Sequence, residues 1–452
     1  MLNIEVTLNY YYFALYFLSM KYKFTFVLLL LAFSNITKAQ FLMDMLDTTK
    51  DAGKGLVGIY KKFDHLRIGG YIQPQYQAAS QNGVRTFEGT DFGANVNNRF
   101  MLRRSRVRID YLHSTGKGSV GVQVVFQFDA NERGFTLRDV WGRVFENKYQ
   151  LFSLTTGMFA RPFGYETNLS SSDRESPERG RMNQILMKSE RDLGAMVSLD
   201  ARKKDHTLQF LKVDVGLFNG QGINAAGEFD NKKDLIARVA LKPKPLGKKW
   251  MLSAGTSLLA GGLVNNTKYI YSTETVGGSK KVVVDSSVGN IGRFSPRRYY
   301  GADLQLKYKN RVGFTEIRGE FITGTQTGTN TNTETPAALL TGSDGFQQRH
   351  FNGAYFYLLQ HLGSLKRQLV VKYDWYDPNT EVMGNEIGAA GSNFTATNIQ
   401  YSTWHFGYVH HLSDNIKLLA FYSLVKNEKT LLTGFTGDVN DNVFTCRLQF
   451  RF

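Results

Sequence analysis

The stretch VFTCRLQFRF, residues 443–452, reads as a strand with two chemically different faces. Phe444, Cys446, Leu448, Phe450 and Phe452 share one side, while Val443, Thr445, Arg447, Gln449 and Arg451 share the other. Side chains alternate across a β-strand, so a period of two is the strand signature. An apolar face kept to the last residue needs a neighbour that covers it, and the candidates are a second sheet or lipid.

The pattern recurs along the chain. In SVGVQVVFQF (119–128), Val120, Val122, Val124, Phe126 and Phe128 oppose Ser119, Gly121, Gln123 and Gln127, with Val125 as the exception. In YYGADLQLKYK (299–309), Tyr300, Ala302, Leu304, Leu306 and Tyr308 oppose Gly301, Asp303, Gln305, Lys307 and Lys309. IKLLAFYSLV (416–425) places Ile416, Leu418, Ala420, Tyr422 and Leu424 on one side. About sixteen such runs of roughly 9 to 13 residues fit between residues 66 and 452. Tight turns such as ENK, KPLG, KNR and SDN alternate with long connections at 79–96, 161–190, 220–232, 262–297, 324–348, 378–398 and 428–441.

An even strand count with short turns at one end and long loops at the other describes an all-β, transmembrane antiparallel β-barrel, with periplasmic turns and extracellular loops. In hydrocarbon every backbone N–H and C=O must find a partner, which a closed sheet provides and an open one does not. The last strand then pairs with the first, and its aromatic end lies in the interfacial girdle. A soluble β-sandwich or jelly roll is the competing fold, but it has no reason to place a long loop at every second connection.

Composition agrees with this class. The 452 residues are 42% hydrophobic and 13% aromatic, with 44 Gly and 8 Pro, a balance suited to many strands and turns. Cys446, the single cysteine, excludes an intramolecular disulfide and any multi-cysteine metal site. Lys21 and Lys23, the apolar run FTFVLLLLAF and then TKA before Gln40 form an export signal over residues 1–39, with cleavage after Ala39 and Met20 as the expected start. Residues 40–65 are expected to form a periplasmic segment with a short helix. Removing residues 1–39 takes away three lysines and one glutamate, so 52 Lys and Arg face 38 Asp and Glu. The basic residues are dispersed over strands and turns, which argues against nucleic acid and for anionic solutes or an anionic membrane surface such as lipopolysaccharide.

The strand RRSRVRIDY (103–111) sets which face is wet. Arg104, Arg106, Arg108 and Asp110 share one side, while Val107, Ile109 and Tyr111 share the other. A lipid-facing arginine at mid-depth costs roughly 2–4 kcal/mol, so three together approach the whole stability of a domain, and this face belongs to the lumen. Arg103 breaks the parity and requires either a bulge near Ser105 or a place at the outer interface. A column of guanidiniums offers successive sites to an anion. The same column balanced by Asp110, Asp129 or Asp139 would mainly stiffen the wall, and the residues alone leave both readings open.

The connection 161–190 is the second charged constellation, with Arg161, Arg174, Arg179 and Arg181 set among Glu166 and Glu178. A loop of this length and charge either folds inward to narrow the lumen or stands solvated outside on its own ion pairs. The eight His are scattered, no catalytic or cofactor motif stands out, and no catalytic residue, metal site or cofactor is expected.

The runs LRRSRVRIDYLHSTGKGSVGVQVVFQFD, LRDVWGRV, TTGMFARPFGYE, SPERGRM and RDLGAMVSL resemble the phosphate-selective porin O and P family of outer-membrane porins, over residues 66–202. The resemblance implies a homotrimer of sixteen-stranded barrels, passive diffusion of small anions such as phosphate, and a loop folded into each barrel. Arg104, Arg106 and Arg108 match the family's arginine strand, and Arg161, Pro162, Phe163, Gly164 and Glu166 match its PFG.E turn. The resulting expectation is an anion porin of the bacterial outer membrane and not an enzyme. The alternative is a structural or partner-binding barrel, such as a subunit of a larger envelope complex, that conducts little.

Overall fold

A computed structural model describes residues 65–114, 120–203 and 205–452. The export signal, the segment before His65 and part of the turn after β2 lie outside the described residues. The strands are β1 Leu66–Ala79, β2 Asn98–His113, β3 Val120–Asn131, β4 Gly134–Glu146, β5 Phe152–Ala160, β6 Arg191–Asp200, β7 Leu211–Phe218, β8 Asp234–Leu246 and β9 Trp250–Val264. They continue as β10 Ile270–Val276, β11 Ser279–Asp285, β12 Phe294–Asn310, β13 Gly313–Thr329, β14 Phe346–His361, β15 Arg367–Asp377, β16 Tyr401–His411, β17 Ile416–Asn427 and β18 Val443–Arg451.

Each barrel strand pairs antiparallel with its neighbours in the wall, and β18 returns to β1 with Tyr76 opposite Cys446 and Ala79 opposite Val443. Gly70 and Phe452 exchange backbone hydrogen bonds of 3.0 Å in both directions at this seam. The sheet therefore has no open edge, as hydrocarbon requires. β9 pairs directly with β12, from Val264 opposite Phe294 to Trp250 opposite Tyr308, so sixteen strands form the wall. The strands β10 and β11 form a hairpin outside it. On sequence, 262–297 reads as one long loop, because the run STETVGGSKK carries charge and glycine and no apolar face. An external hairpin needs no such face.

The two sides of the wall follow the alternation. Phe444, Cys446 and Leu448 lie on the outside of β18, and Thr445, Arg447 and Gln449 are buried within. The outside is an apolar, aromatic surface that includes Phe126, Leu154, Val197, Leu217, Tyr300, Leu304, Phe321 and Phe406. Tyr373 and Trp404 pack 4.7 Å apart on it. Such a continuous exposed apolar wall fits hydrocarbon and not water, so the chain spans a membrane.

The interior is less uniformly polar than parity alone implies. Val125, Trp141, Phe159, Met196, Phe218 and Ile236 form a buried cluster with Phe163, Met182, Ile185 and Leu186 of the 161–190 connection. This explains why Val125 departs from its strand's alternation: it faces an internal core and not water. The connection itself carries a short helix, α1, at Arg181–Leu186.

Candidate functional site

The pairing of β1 with β2 shifts register at Gln73 and Pro74: Gln73 lies opposite Arg104 and Pro74 opposite Leu102. Arg103 is thus the extra residue of a β-bulge, the first of the two settings its broken parity allowed, and not a residue of the outer interface. The bulge turns two successive arginines inward. Arg103 Nε donates to Glu178 Oε1 at 2.8 Å, Arg104 Nη2 to Glu178 Oε2 at 2.7 Å, and Arg447 Nη2 of β18 to Glu178 Oε1 at 2.8 Å. Further along β2, Arg106 Nη2 donates to Asp129 Oδ2 at 2.6 Å and Arg108 Nε to Asp110 Oδ2 at 2.6 Å. Each arginine of the column has a carboxylate partner. Phe100, at 85% exposure on the outer face, and Arg106, at 5%, mark how sharply the strand divides its two sides.

Residues 161–190 bridge distant arcs of the wall. At their start Gly164 has φ +71°, and a Cβ there would lie 2.2 Å from Glu320 Oε1, so only glycine fits the turn. Gly164 N donates to Ser257 Oγ of β9 at 3.0 Å, while Tyr165 N and Glu166 N donate to the Glu320 carboxylate of β13 at 3.0 and 3.2 Å. Glu166 accepts from Gly180 N and Asn183 Nδ2, each at 2.9 Å, and from Tyr357 OH at 2.8 Å, with Lys372 Nζ 3.5 Å away. Burial alone would raise the Glu166 carboxyl, but Lys372 and Arg174 outweigh it and hold it below the usual value.

The middle of the segment is held from other strands. Arg318 of β13 grips Glu175 with two bonds of 2.9 Å, and Lys417 Nζ of β17 donates to Ser172 O at 2.6 Å and Arg174 O at 3.1 Å. With Tyr71 and Gln73 of β1 bonded to Ser171 and Arg138 of β4 to Glu190, one segment reaches β1, β2, β4, β9, β13, β14, β15, β17 and β18 together only from inside the cylinder. The remaining arginines have distinct settings. Arg161 and Arg174 bond backbone carbonyls of the segment itself, at Ser189 and at Ser176 and Pro177. Arg179 pairs with Glu190. Arg181 lies over the rings of Tyr401 at 3.5 Å and Phe87 at 4.6 Å.

Two cavities flank the segment. An outer one of about 970 Å³ is lined by the long connections together with Arg103, Arg104, Arg179 and Arg181. An inner one of about 360 Å³ lies against β2–β8, where nine Arg and Lys side chains face three carboxylates. Arg104, Arg179 and Glu190 line both, so the cavities meet there. Glu190 at this junction pairs with Arg138, Arg179 and Arg191. A basic excess within low-dielectric walls attracts anions much more strongly than the same charges in open water.

The structure adds Arg138, Arg143, Lys212 and Arg238 on the inner cavity and Lys372, Arg318, Lys417 and Arg447 on the anchoring wall, none singled out as a site by sequence reading. Their signal lies in the parity of single charges inside apolar strands, as in Lys372 and Asp374 on β15. Among the described residues no group of His, Cys, Asp and Glu is placed to hold a metal ion. His405 is buried between Asp374 Oδ2 at 2.8 Å and Ser423 Oγ at 2.9 Å, and lines neither cavity.

No protein family profile and no curated protein matches the sequence. Solved structures do match the fold. The outer membrane channel DcaP of Acinetobacter baumannii aligns at 12% identity with a TM-score of 0.52, covering 86% of this chain and 97% of that one. OprB of Pseudomonas putida aligns at 10% identity with a TM-score of 0.53, covering 89% and 98%. The likeness is one of fold: a porin-like, closed sixteen-stranded barrel.

Proposed function

We propose that this chain is an outer-membrane porin that passes small anions by passive diffusion, with Arg104, Arg106 and Arg108 on the path and residues 161–190 as its constriction. Arg161 and Glu166 brace the turn that opens the segment, Arg174 and Glu178 seat its middle, and Arg179 and Arg181 present charge to the outer cavity. In this reading residues 1–39 direct export and are removed, residues 40–65 stay in the periplasm, and the barrel works as a homotrimer in lipopolysaccharide-bearing membrane. The observation that carries it is the basic lining of the inner cavity, nine cationic side chains to three carboxylates on its wall, with Asp110, Asp129, Glu178 and Asp303 pairing to four of the arginines from outside that lining. Ion pairs such as Arg106 with Asp129 hold the guanidiniums in place and leave a basic excess on the cavity wall. DcaP, which shares the fold, is an outer membrane channel, and a conducting role here agrees with that.

The test is the reversal potential of the purified protein in a planar bilayer across a salt gradient. Anion-selective sign is expected, and Arg106→Glu with Arg108→Glu should move it toward zero or beyond. A cation-selective wild-type channel would overturn the proposal. The dense bonding of residues 161–190 to nine strands favours a second reading, a plugged barrel that serves a larger envelope assembly. That reading expects almost no conductance and a stable co-purifying protein.

A further inference from the structure

The inner cavity is not lined by charge alone. Trp141, Phe159, Leu169 and Met196 share its wall with the arginines. Three of these, Trp141, Phe159 and Met196, belong to the buried apolar cluster inside the barrel. An inorganic anion presents oxygen in every direction and gains nothing from such a surface. An organic anion can withdraw its hydrocarbon body from water there while its charged end stays with a guanidinium.

The guanidiniums fall into three groups, of which Arg104, Arg106, Arg108 and Arg238 are each paired with a carboxylate, those of Glu178, Asp129, Asp110 and Asp303. Arg138, Arg179 and Arg191 converge on a carboxylate of the protein itself, that of Glu190, at the junction with the outer cavity. A cluster that already coordinates one carboxylate has the geometry to accept another. Arg143 differs. Its Nε donates to Thr155 Oγ1 at 2.8 Å, and it has no carboxylate partner among the described residues. Its guanidinium lies 4.9 Å from the centre of the Trp141 ring, so an unpaired cation and an aromatic face adjoin in one cavity. Arg106 Nε and Arg138 Nε, on the same cavity wall, are buried donors without an acceptor.

Resting on the reading of the chain as an anion channel, we propose that the inner cavity is a binding site for organic carboxylates with an apolar or aromatic body. Arg143 receives the carboxylate beside Trp141, and Glu190 is the internal competitor that an entering solute displaces from Arg138, Arg179 and Arg191. Inorganic phosphate, which has the charge but no apolar body, is the weaker ligand.

Chloride current through the full chain in planar bilayers tests this, with benzoate, acetate and phosphate added singly as blockers and a protein-free bilayer as control. Benzoate is expected to reach half-block at a concentration about tenfold or more below those of acetate and phosphate, the discrimination an apolar pocket supplies. Trp141→Ala should bring benzoate close to acetate, and Glu190→Gln should tighten benzoate block about threefold or more by removing the competing charge. Equal block by benzoate and acetate, phosphate block at or below the benzoate concentration, or unchanged block in Glu190→Gln would each overturn the assignment. If a variant fails to fold, judged by heat-modifiable gel mobility, the comparison of the three anions on the unaltered chain decides alone. A cation-selective reversal potential would instead remove the underlying channel reading, and so separates the two failures.

Discussion

Glu178 joins three guanidiniums from opposite ends of the chain, those of Arg103, Arg104 and Arg447. Burial by itself would raise its carboxyl, but the three arginines outweigh burial and hold it well below the usual carboxylate range. A depressed carboxyl stabilises the fold fully above its unfolded value of about 4.3, and that contribution is lost as pH falls through the lower native value. Glu178→Gln leaves two buried cations, Arg104 and Arg447, and the half-buried Arg103 short of a partner and should cost about 3–5 kcal/mol at neutral pH, read as a lower thermal midpoint in detergent. The gap between variant and wild type should close on acidification below about pH 4; a constant gap there would show that charge is not its source. Asp441, beside the outer cavity, is raised to about 6, by burial first and by Asp438 as well, against the pull of Arg181. Protonation below that value removes a negative charge from the mouth. Selectivity should therefore shift toward anions between pH ~7.5 and ~5, and Asp441→Asn should already show the acid value at the upper pH. A pH profile identical in that variant would exclude Asp441 as the titrating group.

At the scale of the strand, parity decides which substitutions the barrel tolerates. Val197 lies on the outer face near the middle of β6, opposite Leu154 of β5. Val197→Arg should destabilise the barrel by roughly 2–4 kcal/mol, measured by denaturant unfolding in lipid vesicles, whereas Val197→Leu should be tolerated. An arginine accepted there without loss would mean that this face is not against hydrocarbon. The outer and inner sets of β3, β12, β17 and β18 were legible in sequence because lipid punishes polar residues on one side and the period leaves no choice of side. The bulge at Arg103 was legible only as a broken parity. Its position depends on the partner strand, where Pro74 has no N–H to offer the ladder and the register slips beside it.

At the scale of the whole molecule, the wall closes independently of the structures it carries outside. Because β9 pairs with β12 along its whole length, excision of the β10–β11 hairpin with a short glycine-serine join should leave a folded, heat-modifiable barrel. Failure to insert would show that the hairpin is needed for closure. The sequence alone determined the strand count of the wall, the side that meets lipid in β2, β3, β12, β17 and β18, and the arginine column of β2, since all three follow from a local period and the cost of charge in hydrocarbon. It did not determine whether residues 161–190 stand outside or reach inward, which carboxylate meets which arginine, or that an apolar core lies within. Those are tertiary facts: Glu178 and Arg447 lie 269 residues apart, and only the curvature of the closed sheet brings them to 2.8 Å.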